Sequence, residues 1–445
     1  MTANITGTLL EGWAGPVKAA AGLEYQLQGL SLTTTVPDSS FNSQYLRVGG
    51  PSGASVPVSN LRWMKETQSA AQGDGSVYEG DVEIDIPLLA ELPGIQLLSL
   101  DGAYRYTHYS TAGSANTWKV ALDWQVFDEV RLRGSFSRDI RAPTLFDLFQ
   151  GPLTSSQGIS DSLTNTSGNV NTTQAGNPAL KPEVAHNASA GLVYSPAWLR
   201  DFSLSLDYFH IAIDNAIGTV SGSNSVTQNI CLTSGGTSPL CDLIVRPISY
   251  NDTSPANFPV QFFQLKENIA KTYTEGFDLQ ANYQTELEWD DPSWNGPLHL
   301  GLFWTHQPVL DTQTLPGTLI TNAAGTAQTP VDRLTFTAGY RIGGLSLDFL
   351  ERYQSAYRQN VNPTLVFKVP DVRAYYQTDL DISYDFPSED RKLSGFLNIS
   401  NLFNTQGGIY QIPSYTGSPG LNYPVGPGAD VIGRYFTLGL RLNPD

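Results

Sequence analysis

The side chains in this sequence that could do chemistry are too dispersed to form a reaction centre. The five histidines, His108, His186, His210, His299 and His306, stand apart, with none of the close His/Cys/carboxylate spacing that metal sites use. There is no phosphate-binding Walker A loop, no Gly-x-Ser-x-Gly nucleophile elbow and no dinucleotide fingerprint. No enzyme, metal or cofactor is therefore expected. Cys231 and Cys241 are the only cysteines and lie in one stretch rich in Ser, Gly and Thr. Two thiols alone make a poor metal site. If that stretch passes through an oxidising compartment, they are expected to form a disulfide closing a small loop.

What remains is a large set of carboxylates, arginines and amides, and their placement is periodic. Across Tyr376 to Phe386, Tyr376, Thr378, Leu380, Ile382, Tyr384 and Phe386 share one face of a strand. Gln377, Asp379, Asp381, Ser383 and Asp385 share the other. A row of carboxylates cannot sit in a dry core, and so apolar an opposite face needs oil. Those are the two surroundings of a transmembrane β-barrel wall. Phe202 to Tyr208, Phe277 to Gln284 and Leu393 to Ser400 repeat the pattern. A soluble antiparallel sandwich also alternates, but it has little use for so many aromatics near strand ends, where bilayer girdles place them.

Composition agrees. Aromatics make up 11% of the 445 residues and charged residues only 15%, with 41 glycines, which suits many strands joined by polar loops. No run reaches the roughly 20 apolar residues of a membrane helix. The net charge of −17 lacks the basic stripe of a nucleic-acid binder, so none is expected as a partner.

About fifteen strands follow from the alternation, near 2–10, 17–35, 77–87, 95–107, 117–126, 130–138, 187–194, 202–213, 261–285, 298–306, 332–342, 345–356, 375–386, 393–403 and 434–442. Short connections alternate with long ones, including 36–76, 139–186, 214–260, 307–331 and 404–433. Bacterial barrels have short periplasmic turns and long extracellular loops, which puts the C-terminus in the periplasm. Val260 to Thr285 reads as one strand with a bulge near Ala270-Lys271, since two strands would break that alternation. Face parity requires Ile342 to pair with Leu345 across Gly343-Gly344, a type I′ turn with positive φ. A three-residue turn at Phe127-Asp128-Glu129 would set Asp123 opposite Arg133. The inner wall is expected to carry Asp101, Arg105, Asp123, Arg133, Asp207, Asp278, Gln280, Arg341, Asp379 and Asp381.

Several short runs resemble a known family. Arg138-Asp-Ile-Arg-Ala-Pro-Thr-Leu-Phe-Asp-Leu-Phe149 followed by Gly176-Asn-Pro-Ala-Leu-Lys-Pro-Glu183 is similar to paired signatures of TonB-dependent receptors. So are Gly102 to Tyr106, Thr274 to Asp278, Asn398 to Asn404, Gly433 to Phe436, and Ala14 to Val17 followed by Gly22 to Tyr25. Pro143 and Pro182 cannot donate to a ladder, so each is expected to mark a strand leaving the sheet. Asn401 to Asn404 reads as a strand exit.

The resemblance implies a 22-stranded barrel plugged by an N-terminal domain. It also implies uptake of a scarce small-molecule ligand powered by the TonB complex, with outer-membrane lipid around a monomer. This sequence reads as the C-terminal part of such a barrel, 1–445 forming one partial barrel domain, open or imperfectly closed. Plug, TonB box and signal peptide are not in it, and it ends Leu442-Asn-Pro-Asp445 in place of a terminal aromatic. Most of the ten wall residues are expected to pair with one another or face the plug. A siderophore or an oligosaccharide would suit the wall, and the long Cys-bearing loop and large barrel incline towards a carbohydrate or other bulky organic ligand. The competing readings are a passive porin-like channel and a surface-binding structural barrel.

Overall fold

A computed structural model describes residues 1–33, 66–68, 70–315, 318–360, 366–367, 369–387, 392–408 and 428–443. Fifteen strands form a wall: β1 Thr2–Gly12, β2 Gly15–Leu32, β3 Ala71–Leu92, β4 Ile95–Tyr109, β5 Gly113–Phe127, β6 Val130–Arg141, β7 Glu183–Tyr194, β8 Phe202–Ser221, β9 Gln261–Leu287, β10 Gly296–Gln313, β11 Asp332–Ile342, β12 Leu345–Gln354, β13 Tyr375–Asp385, β14 Lys392–Ser400 and β15 Tyr435–Asn443. Each pairs antiparallel with the next in chain order. Every predicted strand is present, though the predicted end at 34–35 lies outside the described residues, as do parts of the connections 36–76 and 404–433. Among the described residues β1 and β15 do not pair, so the sheet is not closed. No described helix is long and apolar enough to cross a membrane.

Strand ends differ from expectation where local chemistry intervenes. β14 stops at Ser400, because Asn401 takes φ +53° and its side chain bonds the backbone of Thr405 in both directions, at 2.7 and 2.9 Å. Asn401 to Asn404 is thus the strand exit that was expected. β9 is one 27-residue strand, and its register with β8 shifts on either side of the Ala216–Ala270 pair. Ile342 pairs with Leu345, but positive φ falls on Gly343 (+53°) alone, the pattern of a II′ turn, not I′. Gly344 is needed for another reason: a Cβ there would lie 2.6 Å from the Asp385 carbonyl oxygen on the neighbouring strand. Asp123 does oppose Arg133, yet the odd residue that sets this parity is a bulge between Gln125 and Phe127, and the turn itself is Asp128-Glu129.

The long connections are folded, not merely polar. Leu153–Asp161 and Thr166–Gln174 form a hairpin whose second strand runs parallel to the start of β9. Between β8 and β9 lie an α-helix, Ser225–Thr233, capped by the Asn224 side chain on the Val226 N–H, and a 3₁₀ turn, Pro239–Leu243. These pieces share a small core of Val170, Cys231, Cys241, Ile244 and Phe262.

Candidate functional site

The register decides which side chains share a surface. Directly paired residues lie on one face, so the chain of pairs Asp101–Ala121, Asp123–Arg133–Gly191–Asp207–Asp278–Thr305–Arg333–Gln354 links eight strands beyond β4 on a single side. Following the pairs on through β12 to Asp379 and Asp381 places all ten predicted wall residues on that polar face. The opposite face carries Val82, Tyr104, Val120, Phe136, Phe277 and Leu438, all exposed.

The ten residues are not gathered into one cluster. They make pairs along the wall, often diagonally. Asp123 accepts two hydrogen bonds from Arg131 Nε, at 2.8 and 2.9 Å, although Arg133 is the residue opposite it. Arg133 instead reaches over β7 to Asp207, with bonds of 2.9 and 2.7 Å. Gly191 permits this, because a Cβ there would sit 2.0 Å from Asp207 Oδ1 and 3.0 Å from Arg133 Nε. Asp278 accepts the Thr305 hydroxyl at 2.6 Å, and Arg341 donates to Ser346 Oγ at 3.1 Å. Asp379 is held by Arg352, by the Gln377 amide at 3.0 Å and by the Asn401 N–H at 2.9 Å, and Asp381 by Asn398. Arg105 lies 3.6 Å from Glu79 and 3.9 Å from Asp81. Asp101 has no bonded partner among the described residues and directly opposes Asp85; Gln280 opposes Phe303.

Asp85 belongs to a set the sequence displayed and the prediction omitted. Glu79, Asp81, Glu83 and Asp85 alternate with Gly80, Val82, Ile84 and Ile86, the same signal as in β13. Carboxylates also oppose directly at Glu24/Glu79, Asp207/Asp278 and Asp348/Asp381. Such pairs are destabilising in a sheet, so a stable core is not what this face is for.

Above the wall the two signature runs lock together. Thr144 caps a short helix, Leu145–Phe149, in a capping box with Asp147. Asp147 also pairs with Lys266 of β9. Burial alone would raise the Asp147 carboxyl; Lys266 and the Thr144 N–H and O–H outweigh it and hold it below its ordinary value. Arg141 and Glu183 make two 2.6 Å bonds where β6 and β7 leave the sheet, next to Pro143 and Pro182 as expected. The Asn177 amide donates to the Lys266 carbonyl at 2.8 Å, and the Lys181 N–H to Asn268 Oδ1 at 2.8 Å. Both signatures are therefore scaffold that ties the loop to β9.

Cys231 and Cys241 are bonded, with Cα atoms 5.4 Å apart. Beside them Arg246 and Asp161 form an ion pair whose side chains are 4% and 0% exposed. Burial would raise Asp161, but Arg246 and the Thr164 O–H and N–H hold it low. Among the described residues no group of three His, Cys, Asp or Glu could hold a metal.

A family model for the TonB-dependent receptor-like β-barrel matches residues 6–402, from the first strand of this wall to the Asn401 exit. The chain belongs to that family. No curated protein matches the sequence. Its structure is similar to the ferric enterobactin receptor of Pseudomonas aeruginosa, at 18% identity and a TM-score of 0.59 over 99% of this chain and 53% of that one. It is also similar to the siderophore receptor PirA of Acinetobacter baumannii (15%, 0.57, 99% and 54%) and to the FrpB iron transporter of Neisseria meningitidis (14%, 0.51, 98% and 53%). At these identities the likeness is one of fold. This TonB-dependent receptor barrel spans about half the length of those solved proteins. Family and fold are those of outer-membrane receptors and transporters, not of enzymes.

Proposed function

We propose that this chain is the barrel portion of an outer-membrane receptor that binds a scarce organic ligand, a siderophore or an oligosaccharide, for uptake energised by the TonB complex through a plug domain. The carrying observation is the two-faced wall. One face is apolar along every strand, and the other holds paired and unpaired carboxylates, arginines and amides that need water or another polar surface. The polar face lines the lumen, where Asp101, Arg105, Asp123, Arg133, Asp207, Asp278, Gln280, Arg341, Asp379 and Asp381 meet plug or solute, and the apolar face meets lipid around a monomer. A folded, disulfide-closed loop at the long-loop end suits capture from outside.

The test is uptake by a strain lacking the native receptor and complemented with it, over a panel of ferric siderophores and oligosaccharides, with and without a working TonB complex. Accumulation that needs TonB supports the reading. Accumulation indifferent to TonB would replace it with a passive channel, and none on any ligand with a structural barrel.

A further inference from the structure

A cavity of about 300 Å³ opens on the polar face at the long-loop end, between the wall and the turn before the Leu145–Phe149 helix. Its chemistry comes from Gln26, Gln28, Ser76, Glu79, Tyr109 and Thr111. Two glycines of β3 build it. A Cβ on Gly73 would lie 2.2 Å from the Phe149 ring, so only glycine lets the helix sit down on the wall. A Cβ on Gly75 would enter the space itself, 3.1 Å from the Thr111 methyl and 3.5 Å from a Leu145 methyl. The Ser76 N–H donates to Ser110 Oγ at 2.9 Å and the Ser110 N–H to the Ser76 carbonyl at 3.0 Å, fixing the turn that carries Thr111.

The one charged side chain in the described lining, Glu79, already has partners. Glu79 faces Arg105 at 3.6 Å and accepts the Thr107 hydroxyl at 3.1 Å. No lysine or arginine is among the described residues that line the cavity. Among the described residues an anionic chelate finds no free cation here, and a cation finds a single carboxylate that Arg105 already approaches. The carboxamides behave differently. Gln28 donates to Gln26 at 3.1 Å, which orients the pair and leaves the Gln26 NH₂ as donor and the Gln28 carbonyl as acceptor side by side. Adjacent donor and acceptor match the adjacent hydroxyls of a sugar, and the Tyr109 ring beside Pro143 and Leu145 offers an apolar surface to its C–H face.

We infer that this cavity is a binding subsite for an uncharged, hydroxyl-rich ligand, an oligosaccharide end or a comparable polyol. The assignment rests on the receptor reading above and names the ligand class that reading leaves open.

Binding is measured on the full chain in detergent, by tryptophan fluorescence and calorimetry. The probes are uncharged hexose di- to tetrasaccharides and, separately, an anionic ferric tris-catecholate. The variants are Gln26→Ala/Gln28→Ala and Thr111→Trp, the second filling the cavity from an existing turn; strand content by circular dichroism and the intact disulfide certify folding. The expected result is saturable binding of at least one oligosaccharide, weakened tenfold or more in both folded variants, and no saturation by the chelate. No sugar binding by the folded parent, sugar binding unchanged in the variants, or chelate binding that both variants abolish would each overturn it. TonB-dependent uptake is read separately in cells, so loss of energised transport with sugar binding intact would sink the receptor reading and leave the subsite standing.

Discussion

Arg246 is where removal of one side chain has the most calculable effect. Its guanidinium meets both Asp161 oxygens, with the Nη1–Oδ2 bond at 2.9 Å, and donates to the Asn257 carbonyl at 3.0 Å, in a region where neither charged side chain is more than 4% exposed. Arg246→Met leaves a buried carboxylate with only Thr164 for company, which in comparable sites costs about 3–5 kcal/mol. That corresponds to an increase of roughly two to three and a half orders of magnitude in the opening of the loop. The double variant Arg246→Met/Asp161→Leu removes both charges and should recover most of the loss, because the desolvation penalty goes with them. Hydrogen exchange read over residues 222–260 checks this. An increase below about tenfold for the single variant, or a double variant no better than the single, would refute the claim that this ion pair holds the loop against the hairpin Leu153–Asp161 and Thr166–Gln174.

Four other outcomes follow from the same structure. Asp161 and Asp147 both sit below their ordinary carboxyl values, so their stabilisation is present above the unfolded value of about 3.9 and lost as pH falls through the lower folded values; protease sensitivity of the loops should rise only in that acid window, and a rise centred near pH 6 would count against it. Cys231→Ser/Cys241→Ser opens a small loop and should cost roughly 3 kcal/mol or less, seen as faster cleavage between 225 and 245 with wall strands unaffected. Gly191→Leu should eject the Arg133–Asp207 bridge and destabilise the wall by about 1–3 kcal/mol, lowering the temperature of the heat-modifiable gel shift, whereas Ser189→Ala two residues away should not. In detergent the chain alone, with the outer edges of β1 and β15 unpaired among the described residues, should associate through those edges; a monodisperse monomer at high concentration would contradict it.

The wall could be read because each strand answers to two solvents at once, and the irregularities leave the period of two legible: the bulge in β5 falls at the strand's last residues, and the two register shifts around the Ala216–Ala270 pair cancel, four residues of β8 against four of β9. The loop could not be read, because its core draws Val170, Cys231, Ile244 and Phe262 from three separate segments, and helices of five and nine residues show too little of a 3.6-residue period to stand out. Its decisive pair, Asp161 and Arg246, is 85 residues apart in the chain. On the polar face the limit is of another kind. Register told which side chains oppose, but an arginine spans more than one strand spacing, so Arg133 bonds over Gly191 and Asp123 turns to Arg131. Alternation therefore assigns a residue its surface, while its partner depends on where a neighbouring glycine leaves room. The Glu79 to Asp85 stripe needed no such help. Its alternation was as plain as that of β13, and its opposed carboxylates, unlike a scaffold's, make sense only beside water or a surface that brings positive charge or hydrogen-bond donors to them.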